Sequence, residues 1–198
     1  MKGGINLYKE MHEILNEGQI GEFILNKFEI KHENRPFRCD IPTGKYIRLM
    51  DKYDCVMSNT SMEKRTNREI IDTANGDVFI AGLGIGLIVL PIQNKDNVKS
   101  ITILEKYPEI IELVGKQLPL NEKVKIIHGD VFEYEFSKGT KFDTIYFDIW
   151  NYISSDVYEE MKLLKKKYRK YKKMSRENPN VHMSCWAEYY AKHNKRLI

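Results

Sequence analysis

The stretch Asp77-Val-Phe-Ile-Ala-Gly82-Leu-Gly84-Ile-Gly86 places an apolar run directly before three glycines at alternate positions. Glycine lets a backbone turn tightly and approach a ligand where any Cβ would clash. Nineteen residues after Gly86 stands Glu105, at the end of the next apolar run. An acid about 20 residues past such glycines is placed to accept hydrogen bonds from a ribose diol. A third run leads into His128-Gly129-Asp130-Val131. There a carboxylate suits an exocyclic adenine amine, and Val131 suits the ring face. A fourth ends in Phe147-Asp148-Ile149-Trp150-Asn151. Each feature has a plainer reading: a tight turn, a surface glutamate paired with Lys106, a helix N-cap aspartate. Taken together they are four features expected on one rim.

The elements needed to hold them follow from periodicity. From Asp77 onward short apolar runs alternate with helical stretches. Strands are predicted at Val78–Ala81, Ser100–Leu104, Val124–Ile127, Thr144–Phe147 and Val181–Cys185. Helices are predicted at Leu87–Asn94, Pro108–Gln117, Val157–Met174 and from Ala187. Nearly unbroken apolar strands separated by helices imply a doubly wound, Rossmann-like α/β fold with a parallel sheet, in the order 3-2-1-4-5. Ligands of such sheets bind beyond the carboxyl ends of the strands. Upstream, Ile5 to Leu15 has helical spacing. Phe23–Leu25, Tyr46–Met50 and Cys55–Met57 read as a small antiparallel meander or hairpin. The expected division is an N-terminal helix and β-hairpin region over 1–62 and the main α/β domain over 63–198.

Composition narrows the class. The chain has 198 residues, 42% of them hydrophobic, and a formal net charge of +4. That permits a sizeable core and does not by itself call for nucleic acid or a membrane. Cys39, Cys55 and Cys185 are widely separated and form no CxxC pair, which argues against a disulfide or zinc framework. No metal site is expected, and His182 and Cys185 read as structural. With no apolar leader or membrane-length run, a cytoplasmic location is expected.

The series from about Asp77 to Trp186 resembles the class I S-adenosylmethionine (SAM)-dependent methyltransferases. The stretch Gly44 to Glu69 extends the resemblance to the spermidine synthase-like branch, in which a hairpin and following helix pack over the cofactor cleft. The resemblance implies SAM as cofactor, with Gly82, Gly84 and Gly86 against its amino acid part, Glu105 on the ribose, and Asp130 with Val131 at the adenine. Lys106, Arg65 and Arg68 complete the candidate cofactor-binding set. Asp148 is the candidate catalytic residue, matching an aspartate that helps deprotonate an attacking amine.

The departures are informative. Met57 and Ser58 stand where the synthases carry a glutamine, Asn67-Arg68-Glu69 replaces Tyr-His-Glu, and Asp148-Ile-Trp-Asn-Tyr replaces an acid-rich run. An arginine at 65 or 68 suits the carboxylate of intact SAM, which decarboxylated SAM lacks. A methyltransferase of unknown acceptor is therefore the leading expectation. An aminopropyltransferase, or a catalytically silent SAM- or nucleic-acid-binding module, is the alternative. NAD fits less well, because bulky Leu87 stands where the dinucleotide pattern needs a small residue.

Nine lysines and arginines lie between Lys162 and Arg176, interleaved with Tyr158, Met161, Leu164, Tyr168 and Tyr171 at helical spacing. A solvated basic face is the first reading and a nucleic-acid footprint the second. The sheet is expected to stop at its fifth strand, without a sixth and seventh, its edge covered by the last helix or by a homodimer partner. The acceptor is expected to be a small molecule or another unidentified nucleophile, and no membrane partner is expected.

Overall fold

The computed structural model describes residues 11–33, 41–174 and 181–195. Two sheets form. Strands β1 (Gly18–Ile20), β2 (Phe23–Ile30), β3 (Gly44–Met50) and β4 (Cys55–Ser58) pair antiparallel in that order. The upstream region is thus an antiparallel meander, with four strands where the sequence suggested three. Its extra length lies in β1 and in the outer half of β2, where Lys27 and Glu29 alternate with Phe28 and Ile30. The helix expected over 5–15 appears as α1 (Met11–Ile14), and its earlier part lies outside the described residues.

The second sheet consists of β5 (Gly76–Ala81), β6 (Val98–Glu105), β7 (Val124–His128), β8 (Thr144–Phe147) and β9 (His182–Cys185). Its spatial order is β7-β6-β5-β8-β9, and every pairing is parallel. This is the 3-2-1-4-5 order of a Rossmann-like α/β sheet. Between the two sheets come α2 (Ser61–Thr66) and α3 (Arg68–Thr73), so position 62/63 lies inside a helix. The crossovers carry α4 (Val89–Ile92), α5 (Pro108–Leu113) and α6 (Ser155–Tyr168), and α7 (Glu188–Lys192) follows β9.

Some helices are shorter than periodicity predicted. Pro91 has no N–H to give, and α4 closes as a single short piece around it. Helix α6 starts on Ser154, whose hydroxyl accepts the Val157 N–H at 3.2 Å. It ends at Tyr168 rather than 174, because the chain beyond Tyr171 runs extended beside Phe142. Phe142 N–H donates to the Tyr171 carbonyl and Lys173 N–H to the Phe142 carbonyl, both at 2.8 Å. There Lys173 meets Asp77 at 2.8 Å and Asp143 at 3.2 Å.

Alternation along β5 divides the core. Val78 and Ile80 point into a cluster shared with the meander and α3, α4 and α5. Phe79 and Ala81 point into a second cluster beneath α6. The Phe79 ring stacks on Tyr168 at 5.2 Å and 3°, and meets Phe136, Phe142 and Phe147 within 6.2 Å. No helix among the described residues is long and apolar enough to cross a membrane.

Phe79 holds the central strand to α6, so Phe79→Ala should leave a cavity at the middle of the sheet. The expected loss is about 3–5 kcal/mol of unfolding free energy. Urea denaturation checks this, and a loss under about 1 kcal/mol would contradict the packing described.

Candidate functional site

The carboxyl end of β5 feeds straight into the glycine turn. Gly82 N–H donates to the Leu104 carbonyl at 2.9 Å, and Asp148 N–H donates to the Ala81 carbonyl at 2.8 Å. The turn therefore passes between the ends of β6 and β8. A Cβ on Gly82, whose φ is 96°, would collide with the Asp148 carbonyl. Only glycine fits there, for reasons of both space and conformation.

Glu105, at the end of β6, is buried, with 4% of its surface exposed. One carboxylate oxygen accepts the Leu83 N–H at 2.8 Å and the other accepts the Tyr107 N–H at 3.0 Å. Burial raises its pKa, and those N–H groups pull it back down. Beyond β7, Asp130 meets Lys106 at 2.9 Å and accepts the Phe132 N–H at 2.9 Å. Burial opposes its charge, but the Lys106 ammonium and the Phe132 N–H outweigh it and hold the carboxyl below its ordinary range. Val131 is buried beside it, and its carbonyl accepts the Tyr168 hydroxyl at 3.0 Å.

A cavity of about 300 Å³ lies over these strand ends, bordered by Gly82, Gly84, Glu105, Lys106, Asp130, Val131, Asp148 and Trp150. The size lies in the range of sites for small molecules and cofactors. The Trp150 indole N–H donates to Glu160 at 2.8 Å, which fixes the ring on the cavity wall. Gly86 stands back from the cavity, where a Cβ would press on the Leu118 side chain. Its part is to close the turn, its N–H donating to the Leu83 carbonyl at 3.0 Å.

Arg65 and Arg68 are the sequence expectations that the structure does not bring to this cavity. Both are exposed and neither borders it; Arg68 lies 3.5 Å from Asp72. The reason is helical phase. Hydrogen bonds run through Asn67 from α2 into α3, so Glu63, Asn67, Ile70 and Ile71 share the inward stripe. Positions 65 and 68 point away from it.

The inward charge is Glu63, which sequence reasoning did not single out. It is 7% exposed, and its carboxylate accepts a hydrogen bond from the Ser58 backbone. Burial pushes its pKa up to about 7. Burial, then the nearby Glu63 carboxylate, pushes Asp148 well above the ordinary range. Tyr146 and Cys55 feel the same charge, and the Tyr146 hydroxyl is tied to Asn67 at 3.2 Å. The available signal was the 63/67/70/71 spacing itself, with one acid among apolar and amide residues. Glu22, Asp51 and Glu160 at the cavity edge come from loops and a helix with no motif of their own.

No group of three or more His, Cys, Asp or Glu side chains is placed to hold a metal among the described residues. The basic segment after residue 162 spends much of its charge in pairs. Lys162 meets Glu159, Lys165 meets Glu188, and Lys167 and Lys170 both meet Glu135.

No family model matches the chain, and no curated protein does. Solved structures similar to it include a spermidine synthase from Thermotoga maritima, at 16% identity and a TM-score of 0.47 over 73% of this chain and 50% of that one. Another is M. jannaschii TYW2 in complex with AdoMet, at 19% and 0.44 over 64% and 54%. A third is the N-methyltransferase NodS from Bradyrhizobium japonicum with S-adenosyl-L-homocysteine, at 14% and 0.39 over 56% and 55%. The chain thus spans about half the length of each. The fold assignment rests on the parallel register and strand order described above.

Glu63 gives the site a measurable pH signature. Its folded pKa lies above the value of 4.5 for an unperturbed carboxyl. Its contribution to stability is therefore full below about pH 4.5 and is lost as pH rises through about 7. The loss amounts to about 3 kcal/mol. Glu63→Gln should match the parent near pH 4.5 and exceed it at pH 8, as read by urea denaturation across that range. A constant difference between the two proteins would show that folding does not raise the Glu63 pKa.

Proposed function

We propose that the chain binds S-adenosylmethionine in this cavity and acts as a methyltransferase on an acceptor that enters beside Asp148. The observation that supports the reading is the convergence of the glycine turn, Glu105, Asp130 and Asp148 on one cavity at the carboxyl ends of β5, β6, β7 and β8. The residues fit such a ligand. The Glu105 carboxylate takes backbone N–H groups from Leu83, Lys106 and Tyr107, and its four lone pairs leave room for a ribose hydroxyl. Asp130 is held ionised, as an acceptor for the adenine amine, and Val131 and Leu104 offer apolar contact for the ring.

A sulfonium donor brings a methyl group already activated for displacement, so the chain's own task is alignment and proton handling. Asp148 sits at the cavity floor with a raised pKa. In its ionised form, a carboxylate with a raised pKa is a stronger proton acceptor for an attacking nucleophile than an ordinary one.

One observation favours a second reading, transfer of an aminopropyl group from decarboxylated SAM. Lys106, the cation at the cavity wall, is paired with Asp130, while Glu22, Asp51 and Asp148 border the same space. Such a lining suits a donor whose tail ends in an ammonium.

Calorimetric titration with SAM, decarboxylated SAM and NAD separates these readings. SAM is expected to bind, and NAD is not. Glu105→Ala should weaken SAM binding by about 1.5–3 kcal/mol, the worth of charge-assisted hydrogen bonds. Asp148→Asn should spare binding and cut turnover once an acceptor is found. An affinity untouched by Glu105→Ala would remove the site assignment, and tighter binding of decarboxylated SAM would promote the aminopropyl reading.

A further inference from the structure

A buried carboxyl that no cation neutralises is costly, so Glu63 requires an account. Its carboxylate takes the Ser58 backbone, and Ser58 follows Met57, which borders both the main cavity and a small void that adjoins it at Asp148. Glu63 thus sits behind the wall to which Asp148 belongs, near enough for the charge of one to act on the other. Asn59 and Asn67 lie four residues to either side of Glu63, and both are fully buried. Asn59 Oδ1 accepts the Ile47 N–H at 2.8 Å, and Asn67 Oδ1 accepts the Tyr146 hydroxyl at 3.2 Å. Among the described residues the Nδ2 groups of these two amides meet no acceptor. Uncommitted donors around a carboxyl suit its ionised form, which only accepts.

The other titratable groups about Glu63 and Asp148 are Cys55 on β4, Tyr146 on β8, Cys185 on β9 and Glu69 on α3. Arg48 on β3 acts on Cys55, but its guanidinium donates to Asn26 at 2.9 Å. Among the described residues no lysine or arginine forms an ion pair with Glu63 or Asp148. Burial therefore acts nearly unopposed and keeps both carboxyls protonated at mildly acid pH. The pair stays neutral there until a cation reaches it. The SAM reading supplies one, the sulfonium, whose methyl group must face an acceptor beside Asp148.

We propose that Glu63 and Asp148 act as one charge-sensing pair, which gives up a proton when a sulfonium enters and keeps it when the ligand carries a neutral thioether. This rests on the SAM reading above and deepens it, since it names what makes the cavity prefer the donor to its demethylated product. Glu63 is a positioning residue here: it borders no ligand and acts on the sulfur by charge, through the wall that Asp148 forms. The charges of the transfer then balance within the cavity. Before reaction the sulfonium faces one negative charge on the pair. The methyl–sulfur bond breaks and leaves its electron pair on sulfur, the acceptor bonds the methyl carbon, and the acceptor's proton goes to Asp148. Both charges vanish together, and the thioether product faces a neutral pair. A cation that lowers the proton affinity of the pair can only gain from it, and the gain grows as pH rises towards about 7, where Glu63 ionises unaided.

S-adenosylhomocysteine differs from SAM by one methyl group and by the charge on sulfur, so the two ligands isolate the effect without turnover. Calorimetry at about pH 6, in buffers of unlike ionisation enthalpy, counts the protons released, and both amino tails are protonated there. SAM should release roughly half a proton or more, and S-adenosylhomocysteine close to none. Asp148→Asn should keep most of the release, since Glu63 remains to supply the charge. Glu63→Gln combined with Asp148→Asn should abolish it. From about pH 5 to 7 the preference for SAM over S-adenosylhomocysteine should rise severalfold in the unaltered chain and stay level in the double variant. Equal release by the two ligands, loss of release in Asp148→Asn alone, or release that survives the double substitution overturns this inference and leaves the SAM reading standing. Failure of both ligands to bind the unaltered chain overturns the SAM reading and this inference with it. If the double variant does not fold, the unaltered chain and Asp148→Asn decide.

Discussion

The cavity depends on one backbone constraint: the turn after β5 must thread between the ends of β6 and β8. Hydrogen bonds from Gly82 N–H to Leu104 and from Asp148 N–H to Ala81 fix its two sides. Glu105 then ties the turn to its own strand by taking the Leu83 N–H. The acid expected to meet a ribose is therefore also part of the frame. Its two oxygens hold backbone on both sides of the β6 terminus, and its orientation is set before any ligand arrives. Pre-organisation of this kind keeps the cost of ordering out of the binding step.

The centre of the sheet was legible because β5 and β8 are buried on both faces. Val78–Ala81 and Thr144–Phe147 read as continuous apolar runs, and β8 has the predicted bounds. The meander was less legible. β1 has three residues, and the outer part of β2 has the half-exposed alternation that a single polar face produces. Helix ends were set by tertiary contacts that periodicity does not carry, as where Phe142 captures the chain after Tyr171.

The site divides in the same way. Gly82, Glu105, Asp130 and Asp148 were legible because each sits at a strand's carboxyl end, a position that strand order alone makes common to all of them. The arginines were not legible in the same way, because their charge suits a carboxylate while the helical phase of α2 and α3 turns them outward. Once Asn67, Ile70 and Ile71 are taken as the buried stripe, position 63 is inward and 65 is not. A buried acid on that stripe contradicts the usual preference for exposed glutamate, and local violations of this sort concentrate where a fold serves something besides its own stability.

The Val131 carbonyl receives both the Tyr168 hydroxyl and, at 3.4 Å, the Lys167 ammonium, so one wall of the cavity is fastened to the end of α6. Tyr168 is fully buried against Phe79. Opening this wall therefore means unseating an aromatic stack at the centre of the molecule. Contacts to a buried core of this kind raise the cost of opening a loop locally. The glycine-turn side is covered instead by Met57, whose thioether sulfur lies over Gly84 and accepts the Ile85 N–H at 3.5 Å, a weak contact. The two sides of the cavity differ in stiffness, and whatever enters or leaves it meets one fixed jaw and one yielding one.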